Sequence, residues 1–132
     1  MNVQLLHQPM PMDSASIELP GSEINNIHRG EDGSLHVYFS RAIIIKTMTG
    51  SMERTRWWQA GEMVLEDAEV AVEGDDLFAG PLICTGGDIE DNVFTYRDMI
   101  PLPLRSRGRI ACDLGFQGSA NRLRARGNVI RL

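Results

Sequence analysis

Over residues 110–116 and again over 122–126 apolar side chains recur at every second position, and this alternation constrains the fold more than any other feature of the chain. Ile110, Cys112, Leu114 and Phe116 make one face, with Arg107, Arg109, Ala111 and Asp113 on the other. After a turn at Gln117 to Ala120, Leu123 and Ala125 alternate with Arg122, Arg124 and Arg126. Successive side chains of a strand point to opposite faces, so two such runs joined by a short polar turn predict a β-hairpin, apolar inside and arginine-bearing outside.

The same period recurs upstream. Leu35, Val37 and Phe39 alternate with His36, Tyr38 and Ser40 after a turn signal at Glu31-Asp32-Gly33, and the β-branched run Ile43 to Ile45 continues in extended form. Residues 53 to 60 carry Trp57 and Trp58 side by side, so one of the two rings is expected to face outward. Ala68, Val70 and Val72 alternate with acids, residues 93 to 96 read as a short strand, and the prolines of Ile100-Pro101-Leu102-Pro103-Leu104 confine that segment to an edge or connector. Thr85-Gly86-Gly87-Asp88 reads as a loop, because glycine supplies the backbone freedom of tight bends. Residues 1–26 mix Met, Pro, Ser and Asn without a period, so they read as a loosely structured leader, with room for a turn of helix near Ser22 to Asn26. The chain of 132 residues, 42% hydrophobic and 23% charged, is the size of one core. The expected fold is therefore all-β: residues 27–132 form a single antiparallel β-sandwich or flattened barrel, jelly-roll-like, with seven to eight short strands.

No run approaches the roughly 20 apolar residues of a membrane helix. The N-terminal stretch has no Lys or Arg before Arg29 and lacks a secretory pattern, so the expected location is the cytoplasm, with no membrane partner. There Cys84 and Cys112, the two cysteines, are expected to stay reduced and buried.

Charge is segregated along the chain. Residues 57 to 96 hold ten acids and no Lys or Arg, whereas residues 97 to 132 hold eight arginines against Asp98 and Asp113. With Arg107 and Arg109 set across the hairpin from Arg122, Arg124 and Arg126, guanidinium groups would crowd one face, and like charges placed opposite one another are destabilising. Three sources of neutralisation are open: the chain's own Asp67, Glu69 and Glu73, a protein partner or second copy meeting the terminal strand at an exposed edge, or phosphate. Nucleic acid is disfavoured, because the only aromatic residue from position 97 onward is Phe116, on the inner face, and the overall charge is −5.

Residues that carry chemistry elsewhere are weakly placed. His7, His28 and His36 lack metal-ligand spacing, and no cofactor motif is present. Cys84 stands beside glycine amides but has no histidine near it in sequence. Asp88, Glu90, Asp91 and Asn92 offer the oxygen ligands calcium prefers without the spacing of an EF-hand loop. A hydrolase built on loop acids such as Asp75, Asp88, Glu90 and Asp91 is one alternative, and a carbohydrate-binding surface at Trp57 or Trp58 is another. The reading that uses most of the pattern is a non-catalytic binding or assembly module, homodimeric or bound to a protein partner. Its candidate binding residues are Trp57, Trp58, Arg107, Arg109, Arg122, Arg124 and Arg126.

Overall fold

The computed structural model describes residues 14–47, 54–72 and 81–132. They form nine strands: β1 (Ser14–Arg29), β2 (Leu35–Thr47), β3 (Arg54–Glu66), β4 (Glu69–Val72), β5 (Leu82–Asp91), β6 (Phe94–Arg97), β7 (Met99–Leu102), β8 (Arg105–Phe116) and β9 (Arg122–Arg131). Every pairing is antiparallel. Following the ladders from β5 through β8, β9, β3 and β2 to β1, and back to β5 through Glu23↔Ile83 and Ile24↔Leu82, closes a six-strand barrel. Strands β4, β6 and β7 are additions to that ring.

The barrel interior follows from the alternation. Leu35, Val37, Phe39, Met63, Leu65, Ile89, Ile110, Cys112, Leu114, Leu123, Ala125 and Ile130 are buried in one cluster, and β1 adds Ile17, Leu19, Ile24 and Ile27. Burial of such side chains is worth about 1.5–3 kcal/mol each, which makes this cluster the principal source of stability.

Residues 14–26 are not part of a leader, and Ser22 to Asn26 are not helical: Ser14–Arg29 is the longest strand. Its period is broken by register shifts between Glu18 and Glu23 and again before Asn26, and such irregularities bend a strand and hide its alternation. Residues 1–13 lie outside the described residues.

The closure between β1 and β5 spans only two residue pairs, and the gap left as these strands diverge is filled by β6 and β7. Asp98 sits at the corner between them with φ +63°. Its carbonyl accepts from Leu19 N at 2.7 Å, its N–H donates to the Gly87 carbonyl at 2.8 Å, and its Oδ1 accepts from Gly87 N at 2.9 Å. One residue thereby ties β1 to β5. Strand β3 is turned into β4 by a bend at Asp67 (φ +50°), held where Ala68 N donates to the Gly33 carbonyl and Arg29 Nη2 donates to the Ala68 carbonyl.

Candidate functional site

The terminal hairpin sets out the arginines. Strand β9 runs between β8 and β4, so its outward residues Arg124 and Arg126 lie between two neighbours, and Arg122 has one on the β8 side. On the β8 side they stand opposite Gly115, Asp113 and Ala111 respectively. On the β4 side Arg126 stands opposite Glu69, and Arg124 opposite Ala71.

This corrects the crowded face. Arg107 pairs with Val129, and a bulge at Gly108 (φ +126°) separates Arg107 from the regular ladder that resumes at Ile110. The Asn92 side chain braces the bulge: Nδ2 donates to the Arg107 carbonyl and Oδ1 accepts from Arg109 N, both at 3.0 Å. No arginine of β8 therefore stands directly across from an arginine of the set Arg122, Arg124 and Arg126. The expectation that the terminal strand forms an edge is also corrected, because β9 is paired on both sides.

Much of the neutralisation comes from inside the hairpin. Asp113 accepts from Arg122 Nε at 2.6 Å, and its other carboxylate oxygen lies 3.6 Å from Arg124 Nε. Of the acids proposed as an internal ladder, Asp67 instead accepts from Asn128, Glu69 is in register with Arg126, and Glu73 lies outside the described residues. Across β8, Glu90 of β5 pairs with Ala111, so Arg126 has an acid on either hand: Glu69 beside it, and Glu90 beyond a small alanine. Among the described residues no carboxylate oxygen comes within 4.0 Å of the Arg126 guanidinium.

Small residues between long charged ones leave an open groove. Two adjoining hollows, of about 560 and 670 Å³, share Glu69, Glu90, Ala111 and Arg126. One extends toward Asp113 and Arg124, the other toward Arg109 and Asn128. The structure thus brings Arg109, Arg124 and Arg126 to one groove and leaves Arg107 off its walls.

The two tryptophans divide as the alternation requires. Trp57 is half-buried against the core and its Nε1 donates to Gln59 Oε1 at 3.1 Å. Trp58 is 58% exposed, with the Arg41 guanidinium 4.8 Å from its ring centroid.

The remaining candidates sit in ordinary strand surroundings. Residues Thr85 to Asp88 are not a loop but lie within β5, as do Glu90 and Asp91. Gly87 is needed there because a Cβ would collide with the Asp113 carbonyl and Leu114. Asp88 is gripped by Arg97 through two bonds of 2.9 and 3.1 Å, which hold its carboxyl below the usual carboxylate range. Asp91 is buried and accepts from Ser106 and Asn92. Asp75 and Asp76 lie outside the described residues. Both cysteines are free and buried; burial pushes the Cys84 thiol up to about 11 and Cys112 to about 12, away from the thiolate that nucleophilic attack requires. Among the described residues no three of His, Cys, Asp and Glu converge as metal ligands. No helix of the described residues is long and apolar enough to cross a membrane.

One acid–histidine–serine relay escaped the sequence reading because its members lie on different strands and a turn. His36 Nδ1 is 3.1 Å from Glu62 Oε1, and His36 Nε2 is 2.8 Å from Ser34 Oγ. Ser34, however, is buried and its hydroxyl donates to Asp32 Oδ1 at 2.6 Å. Together with the Ser34 amide this bond holds the Asp32 carboxyl below its ordinary range. The hydroxyl is committed to closing the β1–β2 turn, and the relay acts as a clamp.

Compared with family models, with curated proteins and with solved structures, the chain matches none of them.

Proposed function

We propose that the chain is a non-catalytic binding or assembly module, and that its contact surface is the groove across β4, β9, β8 and β5. One observation carries this reading: Arg126, flanked by Glu69 and Glu90 over a floor of Ala111, has no ion-pair partner within reach among the described residues. A guanidinium left open beside two acids favours a partner that offers a carboxylate next to a cation. Because acids and arginines alternate across the groove, the reading selects a mixed-charge protein segment over a polyanion such as nucleic acid. The buried, unpaired thiols support a reducing cytoplasmic setting.

The test uses 12-residue peptides of alternating Glu and Lys, all Glu, or all Lys, titrated by fluorescence anisotropy. The alternating peptide binds best, its affinity falls with added salt, and Arg126→Ala weakens it about tenfold, the scale of one charge-assisted contact. Equal affinity for all three peptides, or no change in the R126A variant, overturns the reading.

A second reading rests on Trp58, whose exposure suits carbohydrate stacking. Arg41 already covers part of the ring, so a sugar would take what Arg41 leaves open. Quenching of Trp58 emission by a sugar panel, lost in Trp58→Phe, supports it; unchanged emission across the panel removes it.

A further inference from the structure

The outer half of β3 is a strand with one side unused. Residues 54 to 65 pair with β2, apart from Ala60 at a register shift, yet β3 meets β9 only from Val64 to Glu66, so among the described residues Arg54 to Met63 have no neighbour on their other side. Unpaired amides and carbonyls in a row are a template for another strand. Unlike the groove, this edge carries its own complement.

We propose that the β3 edge joins two copies of this chain, pairing antiparallel about a two-fold axis at Trp58. Two-fold axes of an antiparallel ladder pass between directly opposed residues, so a symmetric pairing must set one residue against itself. Centring on Arg56 would oppose two guanidinium groups, which is unfavourable. Centring on Trp58 sets Trp58 against the second copy's Trp58, Arg56 against Ala60, and Arg54 against Glu62, twice over by symmetry. On the inner face the same register sets Trp57 against Gln59, a pair that already bonds within one chain at 3.1 Å. Facing aromatic residues and opposite charges are the pairs that stabilise adjacent strands. The 58% exposure of Trp58 and the exposed side chain of Arg54 are what an uncovered half of such a contact presents; Arg56 and Glu62, also exposed, bond within the chain to Glu18 and His36.

The groove and this edge share no lining residue, so the two proposals fail separately. Sedimentation equilibrium on the full chain, from low micromolar to near millimolar concentration, is expected to report a mass rising to two chains. Arg54→Glu places like charges at both ends of the contact and weakens association about tenfold, and adding Glu62→Arg to it restores association. Trp58→Cys forms an interchain disulfide on mild oxidation, because the two positions face each other across the axis and the native thiols are buried. A single-chain mass at every concentration overturns the proposal. So does a two-chain species that R54E leaves unchanged, or one in which W58C does not cross-link.

Discussion

Asp98 concentrates the closure of the barrel in one side chain, and its substitution separates two physical effects. Replacing it with alanine removes the carboxylate that accepts from Gly87 N at 2.9 Å while leaving a β-carbon on a backbone with φ +63°. A hydrogen bond to a charged group contributes about 1.5–3 kcal/mol, and partial exposure of Asp98 places it at the low end of that range. Holding alanine in the left-handed region costs about 1 kcal/mol more, since asparagine, aspartate and glycine tolerate it better. Asp98→Ala is therefore expected to lose about 2–3 kcal/mol, Asp98→Gly about 1.5–2 kcal/mol, and Asp98→Asn under about 1 kcal/mol, because asparagine keeps both the acceptor and the backbone preference. Urea unfolding followed by Trp fluorescence measures the series. For a chain of this size each kcal/mol moves Tm by about 3–5 °C, so D98A should melt roughly 6–15 °C lower. If D98A matches the native chain within about 0.5 kcal/mol, or D98G proves worse than D98A, the corner does not bear the closure in this way.

Two further outcomes rest on the strands around that corner. Gly87→Ala drives a methyl into the Asp113 carbonyl and Leu114, and is expected to cost about 3 kcal/mol or more in the same unfolding assay; a neutral result would mean that β5 and β8 can move apart freely. The raised Cys84 and Cys112 thiols make stability fall at alkaline pH: once pH passes the unfolded thiol value near 9.0, the unfolded chain loses protons that the folded chain keeps. Each thiol then contributes a decline of about 1.4 kcal/mol per pH unit, up to its folded value of about 11 or about 12. Urea midpoints at pH 8 and pH 10 should show that decline, reduced in Cys112→Ala; a slope that the variant leaves unchanged would contradict it.

How legible the sequence was depends on where the period is unbroken. Residues 110–116 and 122–126 of the β8–β9 hairpin and the strand at Leu35 to Phe39 alternate without interruption, and their inward residues are the buried ones. Strand β7, which carries Pro101, pairs with β1 alone, at an end of the strand order, as a residue without an N–H demands. Strand β1 was hidden because its bulges break the alternation. Gly86 and Gly87 looked like a loop because glycine marks close backbone approach as readily as a turn, and here it admits Asp98 and the Asp113 carbonyl. The arginine face is illegible in the sequence for a related reason. Only the fold shows that the bulge at Gly108 shifts Arg107 and Arg109 out of opposition, or that Asp113 within the hairpin takes two of the four β9 arginines. Glu90 could not be placed beside Arg126 from sequence, since the pairing of β5 with β8 is not local.

The central claim is that the groove around Arg126 is where this chain meets its partner. Nuclear magnetic resonance of the 15N-labelled protein, titrated with the alternating Glu/Lys peptide, tests it most directly. Shifts confined to Ala111, Arg124, the Arg126 Nε–H and Glu90, with Tyr38 and His36 unmoved, are the predicted result. Shifts centred away from β9, or none at saturating peptide, would contradict it.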